Sequence, residues 1–297
     1  MTSVGDLLRV GPAVDLTDID PRSTPGLPGR KVTGRDAKVW ARAQLAGIGA
    51  ELARYQEMLY AGAQADGDRR RLLLVLQAMD CGGKDGTIKK VAGAMNPLGL
   101  HIVAFGPPTE EELAHDFLWR IRRALPLAGQ VGVFNRSHYE DVLVARVEEL
   151  VPERTWRSRY WQINGFEQEL VNGSYRLLKV MLHISYDEQR KRLLERLTDP
   201  TKHWKYNPGD VDARARWADY QAAYTEALSR CSTDEAPWYV VPADRKWYRD
   251  WAVAHLVREA LAGMDLAYPR ADFDVDAERQ RLTTESHVQD EQYVNRG

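Results

Sequence analysis

The segment Gln77-Ala-Met-Asp-Cys-Gly-Gly-Lys-Asp-Gly-Thr gathers glycines, a lysine and acids in one short stretch. Gly82, Gly83 and Gly86 carry no Cβ, so backbone N–H groups of Gly82, Gly83, Asp85, Gly86 and Thr87 can close around an anion. Lys84 adds a mobile point charge suited to phosphate oxygens. A helix opening at Lys84 would add the partial positive charge of its N-terminus. The phosphate-loop pattern G-x-x-x-x-G-K-[ST] is met at Gly83-Lys84, but Ala78 replaces its first glycine. Asp85 replaces the hydroxyl residue that normally ligates magnesium. Asp80 lies inside the loop, where an acid repels phosphate unless it binds a metal or accepts a proton. A plain glycine turn with a solvated lysine is the simpler reading. It leaves Asp80 without a purpose, since a pure anion binder gains nothing from that acid.

A second cluster follows the apolar run Val131-Gly-Val-Phe: Asn135-Arg-Ser-His-Tyr-Glu-Asp. Arg136 directly after a strand end can fork two phosphate oxygens. Glu140 and Asp141 either orient metal-bound water or an acceptor, or are first-turn acids favoured by the helix dipole. Arg120, Arg122 and Arg123 form one cationic group and Lys89 with Lys90 another. A chain of phosphates needs such a row, although helix surfaces carry cations for solubility alone. The stretch Asp199-Pro-Thr-Lys-His-Trp-Lys-Tyr-Asn-Pro-Gly-Asp reads as a loop because of its prolines and glycine. With Lys202 and Lys205 it is a candidate lid, whose closure would exclude water from phosphoryl transfer. Arg214 and Arg216 cannot share a helix face at i,i+2. Arg216 is the one expected to point inward. Trp217 is expected to pack in the core.

These groups need a scaffold that brings them together. Leu72–Leu76 is a continuous apolar run, the mark of a strand buried on both faces. Four more runs follow at His101–Phe105, Val131–Phe134, Leu177–Ile184 and Trp238–Val241. Helical patterns lie between them, at 84–95, 109–124, 140–172, 186–197, 211–230 and 245–262. The alternation predicts an α/β fold with a parallel five-stranded sheet covered on both faces. Ligands then bind beyond the carboxyl ends of the strands. Ahead of the first strand, Leu45, Ile48, Leu52, Tyr55 and Leu59 share one face of a helix over 35–61. Thr33 and Asp36 mark its start. Residues 1–34 read as an irregular arm, and 265–297 as a polar tail on the surface or on a partner subunit.

Composition excludes several classes. The net charge is −2, so an anion site must come from local clustering rather than a global field. That balance argues against nucleic acid as partner, and the lack of an apolar run of about 18 residues argues against a membrane partner. Cys81 and Cys231 stand far apart, which points to a reducing compartment and a cytoplasmic protein. The seven histidines show no zinc-ligand spacing, which argues against a metal hydrolase.

Taken together, the segments resemble the type-2 polyphosphate kinase family from about Asp36 to Gly263. They are Asp80-Cys-Gly-Gly-Lys-Asp-Gly-Thr-Ile-Lys, Phe117-Leu-Trp-Arg, Phe134-Asn-Arg-Ser-His-Tyr-Glu, Lys202-His-Trp-Lys, Arg216-Trp-Ala-Asp-Tyr, Ala236-Pro-Trp-Tyr-Val-Val-Pro-Ala-Asp and Lys246-Trp-Tyr-Arg. The resemblance implies a three-layer α/β/α P-loop kinase fold, thymidylate-kinase-like, over 35–264, with a helical lid at about 198–216. It implies transfer of phosphoryl groups between polyphosphate and nucleotides with magnesium, or manganese in its place, by a homo-oligomer, dimer or tetramer. Many members carry Asp where Asn135 stands. The motif is similar to a subgroup acting on both nucleoside mono- and diphosphates. Asn135, Ser137 and Tyr139 are expected at the nucleotide, and Asp80 at the metal. Lys84 and the loop amides are expected at the phosphates, with Arg136 and either Arg216 or Lys205 on the transferring group. Glu140 is expected to place the acceptor. The cations Arg120, Arg122, Arg123, Lys89 and Lys90 are expected to carry the polymer. The alternatives are an ATP-dependent small-molecule kinase, which would ignore polyphosphate, and a phosphate-sensing module, which would bind without turnover.

Overall fold

A computed structural model describes residues 2–294, with side chains through residue 284. The chain opens with α1 (Val4–Leu8), β1 (Arg9–Val10) and α2 (Arg30–Thr33), then enters the long α3 (Ala37–Ala65). Asp36 caps α3, its carboxylate accepting from the N–H groups of Lys38 and Val39. Thr33 ends α2 instead of joining that cap. Next come β2 (Arg71–Gln77) and α4 (Lys84–Val91), which continues as a 3₁₀ turn to Ala94. β3 (Leu100–Ala104), α5 (Glu110–Leu113), α6 (Trp119–Arg123) and β4 (Val131–Asn135) follow. After them run α7 (Glu140–Val147), α8 (Glu153–Asn172), β5 (Tyr175–His183) and α9 (Tyr186–Thr198). A 3₁₀ stretch at Pro200–Lys205 leads to α10 (Gly209–Ala215) and α11 (Trp217–Cys231). The last elements are β6 (Trp238–Pro242), α12 (Lys246–Ala262) and α13 (Val275–Val294).

Among the described residues six strands form one sheet in the order β1-β6-β5-β2-β4-β3. Five are parallel, as the apolar runs predict. The sixth, β1, is an addition: Arg9 and Val10 pair antiparallel with Tyr239 and Trp238. The arm expected to be irregular therefore closes one sheet edge, which a two-residue strand cannot announce by periodicity. Three expected helices are also broken. The 109–124 pattern divides into α5 and α6, and the 140–172 pattern into α7 and α8 around Pro152. The 211–230 pattern divides at Arg216, between α10 and α11. The tail expected after 265 contains α13, and residues 295–297 lie outside the described residues.

The sheet separates two apolar clusters, because successive side chains of a strand point to opposite faces. Leu72, Leu74 and Leu76 face α3 and α12 in one cluster. Leu73 and Val75 face α7, α8 and α11 in the other, with Trp217 packed against it as expected. β2 sits at the centre, between β5 and β4, and is buried from Leu72 to Gln77. Its carboxyl end is therefore held from every side, and the glycine-rich loop begins there.

Candidate active site

After Gln77 the chain reverses tightly. Cys81 takes a positive φ of 63° and Gly83 one of 102°. A methyl group at Gly83 would sit 1.8 Å from the Arg249 guanidinium, so only glycine fits. The carbonyls of the turn are tied down from outside. Gln189 Nε2 donates to the Asp80 carbonyl at 3.1 Å, and Arg192 Nη1 to that of Cys81 at 3.0 Å. Arg192 Nη2 also donates to the carbonyls of Ala243 and Asp244, joining the loop to the end of β6. The Gly82 N–H donates to the Met79 carbonyl at 2.9 Å and the Thr87 N–H to that of Gly83 at 3.0 Å, so of the expected loop amides these two are taken. The N–H groups of Gly83, Lys84, Asp85 and Gly86 at the opening of α4 remain for a ligand.

Lys84 is buried and donates to the Ala78 carbonyl at 3.0 Å. Burial first, and then the neighbouring Arg136, push its ammonium below the usual lysine range. Arg136 leaves β4 with a positive φ of 64° and forks between two acids. Its Nη2 donates to Asp80 Oδ1 at 2.6 Å and its Nη1 to Glu140 Oε2 at 2.9 Å. Asp85 accepts from Asn135 Nδ2 at 2.9 Å and from Lys205 Nζ at 3.1 Å. Burial would raise its carboxyl, but Lys205 and Asn135 hold it below the usual range. Lys205 thus spans from the lid stretch to the phosphate loop. Arg196 supports it from α9, donating to the Lys205 carbonyl at 2.8 Å and to Asp210 at 3.1 Å.

These groups surround a cavity of about 450 Å³ at the carboxyl ends of β2, β4, β5 and β6. Eight Lys and Arg side chains line it against three carboxylates, Asp80, Asp85 and Glu195. Such an excess suits a polyanion. No group of three or more metal-ligating side chains occurs among the described residues. A magnesium ion needs no such group when one or two carboxylates act with substrate phosphates and water. Among the described residues only Oδ1 of Asp80 is engaged, so its second oxygen fits a hard cation.

Residues 36–269 match the family described as polyphosphate kinase 2. The chain belongs to that family. It is 46% identical over 258 residues to an AMP/ADP-polyphosphate phosphotransferase of Meiothermus ruber, covering 87% of this chain and 92% of that one. It is 42% identical over 226 residues to an ADP-polyphosphate phosphotransferase of Rhodopseudomonas palustris, covering 72% and 76%. The crystal structure of polyphosphate kinase 2 from Arthrobacter aurescens superposes with a TM-score of 0.90 at 49% identity, covering 95% of this chain and 97% of that one. The P-loop kinase fold expected from the sequence is the observed one.

In this member of the polyphosphate kinase 2 family, Asp80, Gly82, Gly83, Lys84, Asp85, Gly86, Asn135, Arg136 and Lys205 all line the cavity. Glu140 reaches it through Arg136. Thr87 is buried below, 3.5 Å from Asp250. Other expected residues lie elsewhere. Ser137 and Tyr139 are fully buried, and the Tyr139 hydroxyl donates to Glu167, so both belong to the core and not to a nucleotide surface. Arg120 is buried against Gly106, Glu112 and Asp141. Arg122 lies over Phe166 and pairs with Glu169, while Arg123 lies over Trp119. Lys89 and Lys90, in the last turn of α4, border a separate groove against α3. Arg216 pairs with Glu148.

The cationic wall comes from the expected Lys205 and its lid neighbour Lys202, together with Arg192, Arg196, Lys246 and Arg249, none of which was expected at the site. Their spacing held a signal. Arg192 and Arg196 stand i,i+4 on the helix after β5, and Lys246 and Arg249 stand i,i+3 on the helix after β6. Both helices begin at strand carboxyl ends, where ligands of such sheets bind.

Proposed function

We propose that this chain moves phosphoryl groups between inorganic polyphosphate and nucleotides, converting AMP to ADP and ADP to ATP. The observation that carries the reading is the cavity wall: eight cations against three carboxylates surround one glycine loop, a net positive lining suited to a polyanion. The names borne by its relatives from Meiothermus ruber and Rhodopseudomonas palustris agree with it. Phosphoryl transfer needs alignment and charge neutralisation more than covalent help. Loop amides and Lys84 bind the phosphates beside the bond that breaks. Arg136 neutralises the transferring group, and Glu140, which holds Arg136 from the other side, places the acceptor. Lys205 is the lid cation on this reading, since it lines the cavity and Arg216 does not. Its lid excludes water, which would otherwise compete as acceptor. Asp80 would hold magnesium, which supplies charge neutralisation between donor and acceptor phosphates.

The test is incubation of the purified protein with magnesium, polyphosphate and AMP, ADP, GMP or GDP, followed by separation of products. Nucleotide products lengthened by one phosphate are expected. Activity with ATP and a small molecule, and none with polyphosphate, would sink the reading. Asp80→Asn should fold normally and lose at least about 100-fold in kcat. A homo-oligomer is part of this proposal, as the family resemblance implies. Sedimentation at one protomer mass would overturn that part. The free, buried Cys81 and Cys231 suit a reducing cytoplasm.

A further inference from the structure

Gln77 is the last residue of β2 and is fully buried, yet it carries a polar amide. A buried amide must find partners for both of its ends. One orientation gives both atoms complementary partners. The oxygen then accepts from Ser137 Oγ at 3.0 Å and from the Ser137 N–H at 3.1 Å, and the nitrogen donates to Glu140 Oε1 at 2.9 Å. The other carboxylate oxygen, Oε2, accepts from Arg136. Each oxygen of Glu140 thus has one fixed donor.

The same strand end shapes the turn that carries Arg136. The Arg136 N–H donates to the Leu76 carbonyl at 3.0 Å while its φ is positive. Leu76 and Gln77 together therefore template the Arg136–Glu140 segment. We propose that Gln77 is a positioning residue, which fixes the Glu140 carboxylate and through it the fork of Arg136 at the acceptor end of the cavity. The inference rests on the proposed role of Glu140. A first-turn acid that served only the helix dipole would need no buried partner.

The neutrality of the amide matters as much as its place. A cation at 77 would compete with Arg136 for Glu140. A carboxylate at 77 would repel Glu140 unless the two shared a proton. The charged and titratable groups that face Glu140 are Arg136, Lys84, Asp141, and Tyr220 and Tyr224 from α11, with Asp80 lining the same small cavity.

Two variants test the proposal. Gln77→Met removes the donor at similar volume. It should lower kcat with AMP and ADP by about 10- to 100-fold. The KM for polyphosphate should change less than about twofold, because the loop and Lys84 are untouched. Gln77→Glu should work at acid pH, where its protonated carboxyl donates to Glu140 as the amide does. It should lose activity as pH rises and the pair ionises, so its pH optimum moves to the acid side. A packing role alone would lower Tm and leave the pH profile in place. Wild-type kcat in folded Gln77→Met, or a Gln77→Glu profile superimposable on the wild type, overturns the proposal.

Glu140→Gln separates this inference from the reading beneath it. If Glu140→Gln keeps wild-type kcat, the acceptor role of Glu140 falls. If it does not, Gln77→Met in that background should add little further loss, and full additivity would count against Gln77. Calorimetric ADP affinities for the same variants carry the comparison independently of turnover.

Discussion

Lys84 keeps its ammonium in a buried position whose hydrogen-bond acceptor, among the described residues, is the Ala78 carbonyl of the loop. Burial and Arg136 hold its pKa below that of a free lysine. A bound polyanion favours the charged form and raises that value again, so binding takes up a proton. Polyphosphate affinity should therefore weaken as pH climbs past the free-state value of Lys84. Calorimetry in buffers of different ionisation enthalpy should record the uptake on the alkaline side, and Lys84→Met should abolish it. Gly83→Ala should cost about 1–2 kcal/mol from its left-handed backbone alone. Displacement of Arg249 adds to that, and kcat/KM should fall at least about tenfold. The loop was legible in the sequence because its glycines, lysine and acid are contiguous. The carbonyl ties of Arg192 were not, since that side chain reaches a loop 111 positions away. Ser137 and Tyr139 were misplaced for a related reason. They follow Arg136 closely in sequence, but the turn after β4 drives them into the core.

The lid stretch shows what elements add. Arg196 on α9 holds both the Lys205 carbonyl and Asp210, so two lid segments hang on one guanidinium. Asp210→Ala should release α10 from that anchor. Amide hydrogen exchange over 199–215 should speed up, and the KM for polyphosphate should rise several-fold with little change in Tm. An unchanged exchange rate would show that the anchor is redundant. At α3, Asp36→Ala removes a cap worth about 1 kcal/mol. Tm should fall by about 2–4 °C, with activity intact. The five long apolar runs gave their strands within two residues or so at most ends, because burial on both faces leaves an unbroken signature. Three of the helices, at 109–124, 140–172 and 211–230, were drawn too long for the opposite reason. A break such as the one before Pro152 turns on local backbone that periodicity does not record.

Across the whole molecule, the cluster facing α8 contains a buried ionic knot. Lys179 donates to Glu167, to the Tyr139 hydroxyl and to the Cys231 carbonyl. Burial alone would raise Glu167, but Lys179 and His138 hold it below the usual glutamate range. A depressed acid contributes stability above its unfolded pKa and loses it as pH falls through the folded value. Acid unfolding should therefore steepen below pH 4.5, the ordinary glutamate value, and Glu167→Gln should flatten that limb. At neutral pH, Glu167→Leu leaves the Lys179 charge unpaired and should cost about 3–5 kcal/mol. Nothing in the apolar spacing announced this knot, since Lys179 interrupts a strand that otherwise reads as core. The antiparallel pairing of Arg9 and Val10 with Tyr239 and Trp238 has a temporal consequence. On the ribosome β1 emerges ahead of the other described strands, yet its partner β6 is the last of the six to appear. The nascent chain must keep Arg9 and Val10 unpaired while the other strands of the sheet are made, so this edge is the last to be sealed.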